Sequence, residues 1–226
     1  MIEELMCFGL TRQEATIYRN LLADGELSGY EVAKLTGISR SNTYNGLAGL
    51  VDKGAAYLIE GATTKYTPVN IEEFCNNKLR RMEEVKKSLV EQLPIKRTES
   101  QGYITIKGKK HIIDKIENML KKVEARVYIA VSVEILDLFQ ETLETLVDQQ
   151  KKVVILTEPD YQLDGAIIYH TTVSKNQIRF IVDSTRVLTG DIGTEDSTCL
   201  YSKNSNLVDV FKQMLQNEIT ILEMKM

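Results

Sequence analysis

Apolar residues in the first quarter of the chain recur every three or four positions, and each such run begins at a capping residue. The pattern predicts three short helices within residues 11–54. Thr11 and Ser28 each stand three residues before a glutamate, which is the capping-box arrangement that starts a helix, and Ser39 is expected to cap the third helix. Gly37 precedes the third helix, at a left-handed turn position that favours glycine, and the whole is typical of a helix-turn-helix. The residues expected to face the core are Ala15, Ile17, Tyr18, Leu21, Leu22, Val32, Ala33, Leu35, Tyr44, Leu47, Leu50 and Val51.

The pattern changes after Gly54, where the helical period gives way to two strand-like segments. Residues 56–60 and 65–68 read as strands, and the small polar residues 61–64 between them suit a turn. We therefore expect a β-hairpin directly after the third helix. A helix-turn-helix followed by a hairpin is a winged helix-turn-helix, and we assign residues 1–70 to this domain.

A narrow apolar seam runs through residues 71–93, and the rest of this segment mixes Glu with Lys and Arg. The seam predicts one long helix that ends at Pro94, because proline cannot continue a helix. A narrow stripe flanked by mixed charges favours a coiled-coil-like contact with a partner helix; a helix that lies on its own domain is the alternative. The expected dimerisation residues are Ile71, Cys75, Leu79, Met82, Val85, Leu89 and Leu93. Residues 95–101 are polar and unpatterned, which indicates a linker, and the helix with its linker is assigned to residues 71–100.

The second half of the chain alternates short apolar strands with amphipathic helices, which predicts an α/β domain over residues 101–226. Continuous apolar runs separated by helices favour βαβ units and a largely parallel sheet. Strands are expected at residues 103–106, 127–131, 152–156, 166–169, 178–182, 186–189 and 199–201. Helices are expected at residues 111–123, at 135–147 with Leu138 on the buried side, and from 206 to about 223.

The charge balance of the chain is acidic, with 28 Lys and Arg residues against 32 Asp and Glu residues and a net charge of −4. Residues 1–70 alone carry six basic and eight acidic side chains. Nucleic-acid binders draw much of their affinity from neutralised phosphates and are usually basic. Any DNA binding by this chain must therefore depend on local geometry rather than on overall charge.

The cysteines and histidines are too few and too scattered to indicate a metal site or a disulfide framework. The three cysteines are far apart, an odd count that fits a reducing compartment, and there are two histidines. No Gly-rich phosphate loop is evident. No apolar run approaches the roughly 20 residues of a membrane-spanning helix, and the N-terminus is not signal-like. We expect a cytoplasmic protein with no metal, no cofactor and no membrane partner.

The start of the third helix carries the side chains best suited to contact DNA. In a helix-turn-helix this turn enters the major groove, where Arg suits guanine and Asn suits adenine. The free amides of the helix N-terminus add partial positive charge, and the hairpin tip is expected to support the contact as a wing. The expected DNA-binding residues are Ser39, Arg40, Ser41, Asn42, Tyr44 and Asn45 in the helix, and Thr64 and Lys65 in the wing. The alternative is that Ser39 only caps the helix and that the other side chains are solvated.

Four segments of the N-terminal half resemble the TrmB-like family of prokaryotic transcriptional regulators. They are residues 10–15 (LTRQEA), 28–33 (SGYEVA), 37–44 (GISRSNTY) and 47–54 (LAGLVDKG). The resemblance implies that the winged domain binds operator DNA, that the long helix pairs two subunits, and that the following domain is similar to half of a phospholipase D. Better-known members sense sugars through a further C-terminal domain rich in β-strands. Because this sequence stops near the end of the phospholipase-D-like part, sugar sensing does not follow for it.

The same resemblance raises an enzymatic alternative, since phospholipase D chemistry uses a His-x-Lys-x-x-x-x-Asp motif. Residues 176–183 (NQIRFIVD) are similar in pattern to the region around this motif. Counting back from Asp183 places Asn176 at the histidine position and Ile178 at the lysine position. An amide cannot act as the nucleophile and isoleucine cannot neutralise a phosphate, so we expect a catalytically inactive domain.

Four polar residues of this domain are candidates for a ligand cleft at the strand ends, where open α/β sheets place ligands. They are His170, Arg179, Asp183 and Asp191. The favoured alternative is that Asp183 shapes a turn, that Arg179 lies on a solvated face and that His170 ends a strand.

The sequence thus predicts a homodimeric, sequence-specific DNA-binding transcriptional regulator whose partner is a pseudo-palindromic double-stranded operator. A response to a small-molecule effector through the C-terminal domain is an open hypothesis. Two alternatives remain: a winged-helix protein-interaction module that binds no operator, and a phosphodiesterase.

Overall fold

The computed structural model describes residues 1–94 and 102–224; the linker predicted at residues 95–101 lies outside the described residues. The chain divides into two compact units, residues 1–96 and 97–226. Each unit has its own buried core.

The N-terminal unit contains short helices, a three-stranded sheet and one long helix. Its elements are α1 (Ile2–Cys7), α2 (Arg12–Asp24), β1 (Leu27–Ser28), α3 (Gly29–Thr36), α4 (Arg40–Asp52), β2 (Ala56–Ile59), β3 (Lys65–Pro68) and α5 (Ile71–Gln92). The three predicted helices are α2, α3 and α4, and β2 pairs antiparallel with β3 as a hairpin, so the winged helix-turn-helix is confirmed. The elements α1 and β1 were not predicted, because segments of six and two residues are too short to show a period.

The predicted capping boxes form at the start of α2 and α3. The Thr11 hydroxyl accepts the backbone N–H of Glu14, and the Glu14 carboxylate accepts the N–H of Thr11. Ser28 and Glu31 repeat this reciprocal arrangement. Gly37 then ends α3 in the left-handed conformation, with a φ of 70°. Each box satisfies two N–H groups that have no partner within the helix, so local sequence defines where both helices begin.

The core of the N-terminal unit forms where α2 packs against α4 and the hairpin. Its buried residues are Leu5, Leu10, Ala15, Ile17, Tyr18, Leu21, Val32, Leu47, Leu50, Ala55, Ala56, Tyr66, Val69 and Phe74. Gly46 allows α4 to approach α2, since a Cβ at this position would lie 2.6 Å from Ile17 Cδ1. The Tyr18 hydroxyl donates to the Val69 carbonyl oxygen at 2.7 Å. Burial raises the pKa of Tyr18 to about 12, so this phenol stays a neutral donor at physiological pH.

Three residues that were expected to face this core are exposed. The exposed fractions of Leu22, Leu35 and Tyr44 are 40%, 53% and 49%. Each belongs to a short helix that buries only part of its surface against its neighbours. Helical spacing identifies the buried face of such a helix but not how far round the helix that face extends.

The long helix α5 joins this core through its first turn. Phe74, which lies outside the predicted seam, is buried, and its ring centroid is 5.6 Å from that of Tyr18 and 6.3 Å from that of Phe8. Asn70 caps α5 by accepting N–H groups of the first turn. Within α5 itself, Phe74 alone is buried. Phe74 therefore anchors the start of the helix, and Cys75 after it packs partly against the same core.

The C-terminal unit is an α/β domain that contains all seven predicted strands. Its elements are β4 (Tyr103–Lys107), α6 (Lys109–Leu120), β5 (Arg126–Ala130), α7 (Val133–Leu136), a 3-10 turn (Asp137–Phe139), α8 (Gln140–Asp148), β6 (Lys152–Thr157), β7 (Ile167–His170), β8 (Gln177–Val182), β9 (Arg186–Asp191), β10 (Thr198–Ser202) and α9 (Ser205–Glu223). The helix predicted over residues 135–147 is interrupted by the 3-10 turn. Leu138 lies in that turn and is 53% exposed rather than buried.

The strands form one sheet in the order β4-β10-β9-β8-β5-β6-β7. The β5–β6 and β6–β7 pairs are parallel, whereas the other four pairs are antiparallel. The α/β class is confirmed, but the prediction of a largely parallel sheet was wrong. Strands β8, β9 and β10 follow one another through short connections, which can join only antiparallel neighbours.

Helices pack on both faces of this sheet. Along β5, Val127 and Ile129 face the core cluster that contains residues of α6 and α8, whereas Tyr128 and Ala130 face the cluster that contains residues of α9. This alternation is the period of two that places successive strand residues on opposite faces. None of the helices in residues 1–94 and 102–224 has the length and apolarity that a bilayer crossing requires.

Candidate nucleic-acid interface

The first turn of α4 presents polar side chains to solvent. Ser39 caps the helix by accepting the Asn42 backbone N–H at 3.4 Å. Thr43 points inward, where its hydroxyl donates to the Ser39 carbonyl oxygen at 3.0 Å. The exposed polar residues here are Ser39, Arg40, Ser41, Asn42 and Asn45. Such side chains at a helix N-terminus suit hydrogen bonds to phosphates and base edges.

Arg40 is held against an aromatic ring of the preceding helix. Its guanidinium carbon lies 5.0 Å from the ring centroid of Tyr30, which belongs to α3 and is 55% exposed. A guanidinium over an exposed aromatic face gains about 0.5–1 kcal/mol and loses part of its rotamer freedom. The sequence pattern did not single out Tyr30, because the contact joins two helices. The available signal was an aromatic residue in the first turn of α3.

Tyr44 packs toward α3 rather than into the core. A Cβ added to Gly29, the first residue of α3, would lie 2.5 Å from Tyr44 Cε1. Glycine at this position therefore leaves room for the Tyr44 ring. The ring remains half exposed on the surface of α4, whereas the helical spacing of apolar residues predicted that it faces the core.

The wing residues lie at different places in the hairpin. Thr64 is exposed in the turn, and Lys65 is the first residue of β3. Lys65 Nζ is 3.1 Å from Glu26 Oε1, with both side chains nearly half exposed. An exposed pair of this kind contributes about 0–1 kcal/mol, so a phosphate can compete with the carboxylate for the lysine.

Ion pairs occupy part of the basic charge in residues 1–70. The pairs are Arg12–Glu3, Lys53–Glu14 and Lys65–Glu26. The basic side chains outside ion pairs in this described segment are Arg19, Lys34 and Arg40. Of these three, Arg40 lies in the first turn of α4, where the partial positive charge of the helix N-terminus adds to its own. This local arrangement offsets the acidic balance of the domain.

The predicted dimerisation seam is exposed along most of α5. The exposed fractions of Leu79, Met82, Val85, Leu89 and Leu93 lie between 50% and 62%. Ile71 is 40% exposed, and Cys75 packs partly against the N-terminal core. Val90, which the seam prediction left out, is 64% exposed and lies beside it. Large apolar side chains exposed together in this way mark a contact surface.

The four polar candidates of the α/β unit do not share a cleft. Asp183 lies between β8 and β9, where its backbone N–H donates to the Arg126 carbonyl at the start of β5. Arg179 is paired with Ala130 at the end of β5, and His170 is paired with Thr157 at the end of β6. Asp183 therefore lies at one end of the strands, whereas Arg179, Asp191 and His170 lie at the other end.

Asp183 organises the turn in which it lies. Its carboxylate accepts the backbone N–H groups of Glu124, Ala125 and Arg126 at 2.8–3.1 Å and pairs with Arg186 at 3.0 Å. Burial alone would raise the pKa of Asp183, but these donors outweigh burial and lower it. These contacts agree with the prediction that Asp183 shapes a turn.

Replacing Asp183 by alanine is expected to lower the free energy of unfolding at pH 7 by about 2–3 kcal/mol, because three N–H groups and Arg186 lose a charged acceptor. Because the pKa of Asp183 is lowered in the folded protein, the wild-type carboxylate stabilises the fold at pH values above 3.8, the ordinary pKa of aspartate. This stabilisation is lost as the pH falls below that value. Urea denaturation of the full chain at several pH values measures both effects. Asp164→Ala, which removes an exposed aspartate of the same unit, is the matched control; equal losses in the two variants would contradict the assignment.

The cleft candidates Arg179 and His170 and the motif position Ile178 also have structural roles. Arg179 is largely buried and donates to Glu218 of α9 at 2.8 Å, so it does not lie on a solvated face as expected. Ile178, at the position of the phospholipase D lysine, is fully buried in the core. His170 ends β7 as expected, with Nδ1 3.2 Å from the Glu158 carbonyl oxygen.

Part of the chain matches a known protein family, and two curated proteins are similar to it in sequence. Residues 5–72 match the family described as sugar-specific transcriptional regulator TrmB. YrhO of Bacillus subtilis is 24% identical over 235 residues, covering 99% of this chain and 86% of YrhO. The HTH-type sugar sensing transcriptional regulator TrmBL1 of Pyrococcus furiosus is 27% identical over 149 residues. That match covers 64% of this chain and 44% of TrmBL1, so the chain spans less than half of the length of this relative.

Solved structures are similar to the chain at low sequence identity. TrmBL2, an archaeal chromatin protein with a novel mode of DNA binding, is 21% identical, with a TM-score of 0.49 over 97% of both chains. Nuc of Salmonella typhimurium, a phospholipase D family member, is 10% identical, with a TM-score of 0.40 over 51% of this chain and 93% of Nuc.

The winged helix-turn-helix and the family match together define the class of the protein, which is a DNA-binding transcriptional regulator. Residues 5–72, which contain the winged helix-turn-helix, match the TrmB family, in agreement with the resemblance of the four sequence segments.

Proposed function

We propose that this chain acts as a homodimer that recognises a pseudo-palindromic DNA operator through the first turn of α4 in each copy. The observation that carries the proposal is the exposed N-terminus of α4, with Arg40 stacked on Tyr30 and outside any ion pair of the described residues 1–70. A guanidinium in this place can donate two parallel hydrogen bonds to a guanine or to a phosphate. Asn42 and Asn45 are the adjacent amides, and each can pair with an adenine edge.

The wing adds a smaller contribution to this contact. Thr64 offers a hydroxyl at the turn, and Lys65 offers a charge that its weak pairing with Glu26 leaves available. We assign these two residues to phosphate contacts, which position a protein on DNA without reading its sequence.

The seam of α5 supplies the contact between the two copies. A 22-residue helix is about 33 Å long, and apolar residues line it from Leu79 to Leu93. Pairing two such helices buries the seam, and each large apolar side chain that becomes fully buried contributes about 1.5–3 kcal/mol. A two-fold dimer then requires an operator whose half-sites share the same symmetry.

The α/β unit has a regulatory rather than a catalytic role in this proposal. The residue at the position of the catalytic lysine, Ile178, is buried in the core, and Asn176 stands at the position of the nucleophile. We assign to this unit the response to a small-molecule effector. Such a response requires that the effector bind one conformation of the dimer more tightly than another.

Selection of bound duplexes from a random pool tests the proposal directly. We expect the full chain to enrich a two-fold symmetric motif, and the logarithm of its affinity to fall linearly with the logarithm of the salt concentration, as phosphate contacts require. A protein-interaction module would enrich no motif, and that result would contradict the proposal. A phosphodiesterase would release product from a chromogenic phosphodiester, which the full chain is expected not to do.

A further inference from the structure

The C-terminal unit contains a cavity of about 400 Å³ between α9 and the sheet. Its volume lies within the range of small-ligand sites in proteins. Its lining combines the first residues of adjacent strands, the turn after β8 and the inner side of α9. None of His170, Arg179, Asp183 and Asp191 lines it, so the cavity is separate from the strand-end cleft considered above.

The floor of the cavity is apolar. Val154, Ile181 and Leu215 are buried there and belong to the cluster on which α9 packs. Tyr128 and Tyr169, also in the lining, are half-buried and present a ring and a hydroxyl. This floor suits the body of a small organic molecule rather than a bare ion.

Three cationic side chains surround this floor. Arg126 and Lys152 are the first residues of β5 and β6 and are direct partners in the parallel register, so both side chains lie on the same face of the sheet. Lys212 adds a third cation from α9, where it has a weak, exposed pairing with Asp209 at 3.4 Å. Within the described residues, neither Arg126 nor Lys152 is held in an ion pair by a carboxylate.

Among the residues that the structure describes, one carboxylate lines the cavity. It belongs to Glu223, whose Oε1 accepts the Tyr169 hydroxyl at 2.7 Å. Three cations and one carboxylate leave two positive charges in the lining. A phosphate monoester carries about two negative charges at pH 7 and three strong acceptor oxygens, which an arginine fork and lysine ammonium groups bind well.

We propose that this cavity binds a small organic phosphate monoester, with the phosphate at Arg126, Lys152 and Lys212 and the organic body over the apolar floor. This assignment deepens the proposed effector response by giving it a site and a ligand class, and it depends on the proposed function only for its regulatory consequence. Because α9 contributes Lys212 and the sheet contributes Arg126 and Lys152, a bound phosphate joins the two. The ligand therefore stabilises the packing of α9 on the sheet.

Binding is measured on the full chain without DNA, using inorganic phosphate and glycerol 3-phosphate as probes and glycerol as the uncharged comparison. Both anions are expected to raise the unfolding temperature saturably, because a ligand of the folded state stabilises it. Glycerol 3-phosphate is expected to bind more tightly than phosphate, and glycerol is expected to have no saturable effect.

The double variant Arg126→Gln/Lys152→Gln is expected to weaken glycerol 3-phosphate binding at least about 10-fold through the loss of two charge-assisted contacts. Lys110→Gln, which removes an exposed cation of the same unit outside the cavity, is expected to bind like the wild type. The unliganded unfolding temperatures of all variants establish that they fold. Equal affinity in the double variant, or no saturable binding of either anion by the wild type, would overturn the proposal. Because no DNA is present, these outcomes are independent of whether an operator is found.

Discussion

Replacing Arg40 by alanine is expected to weaken operator binding by about 1–3 kcal/mol for each half-site, which corresponds to about 5- to 150-fold, while leaving the fold and the dimer unchanged. The side chain is exposed and its described contact is the Tyr30 ring, so the loss of unfolding free energy should stay within about 1 kcal/mol. Fluorescence anisotropy with a labelled operator measures the affinity, and urea denaturation checks the fold.

Two companion variants separate the roles of charge, shape and stacking at this position. Arg40→Lys keeps the charge but loses the bidentate fork, so it should keep most of the salt dependence and lose discrimination at one base pair. Tyr30→Leu removes the ring that holds the guanidinium and should weaken binding less than Arg40→Ala does. An Arg40→Ala variant with unchanged operator affinity would remove this residue from the contact surface.

Replacing Leu89 by glutamate is expected to convert the homodimer into a monomer at micromolar concentration. Leu89 lies within the exposed part of the seam, and two-fold pairing would bring the two introduced carboxylates together in an apolar contact. Burying unpaired charges costs several kcal/mol, so dimerisation should weaken at least about 100-fold. Sedimentation equilibrium measures the change. Operator affinity should fall with it, because each half-site then binds a separate chain.

The adjacent variant Ser88→Glu is the matched control for this experiment. It introduces the same charge one residue away, outside the seam, so it should remain dimeric. Circular dichroism establishes that α5 persists in both variants. If Leu89→Glu and Ser88→Glu sediment alike, the seam of α5 does not pair the two copies.

The local structure of the winged domain could be predicted from the sequence because short-range interactions determine it. Each capping box is complete within four residues, and Gly37 takes the left-handed conformation that its position requires. The helices α2 to α5 and the hairpin strands β2 and β3 follow from such signals and from the helical and alternating periods. The exposed polar residues at the start of α4 follow as well, since Ser39 sets where that helix begins.

Side-chain partners across elements could not be predicted in the same way. The stacking of Arg40 on Tyr30, the packing of Tyr44 over Gly29 and the pairing of Lys65 with Glu26 each join separate segments. The periodicity of apolar residues along the sequence carries no information about these contacts. As a result, Tyr44 was expected in the core although its ring is half exposed, and Tyr30 was absent from the candidate site.

The α/β unit shows where prediction from local pattern ends. Its strands were predicted from their apolar runs, because a strand that is buried in a sheet is recognised by the apolar residues within the strand itself. Strand order and direction depend instead on which strands meet in space, and the antiparallel pairing of β8, β9 and β10 contradicted the expected parallel sheet. The winged helix-turn-helix, the long helix and the positions of the strands can be predicted from local sequence, because capping, periodicity and glycine conformation act within a few residues. The sheet order, the setting of Arg40 and the cationic cavity under α9 were decided only by tertiary structure, because each depends on residues that are distant in the sequence and adjacent in the fold.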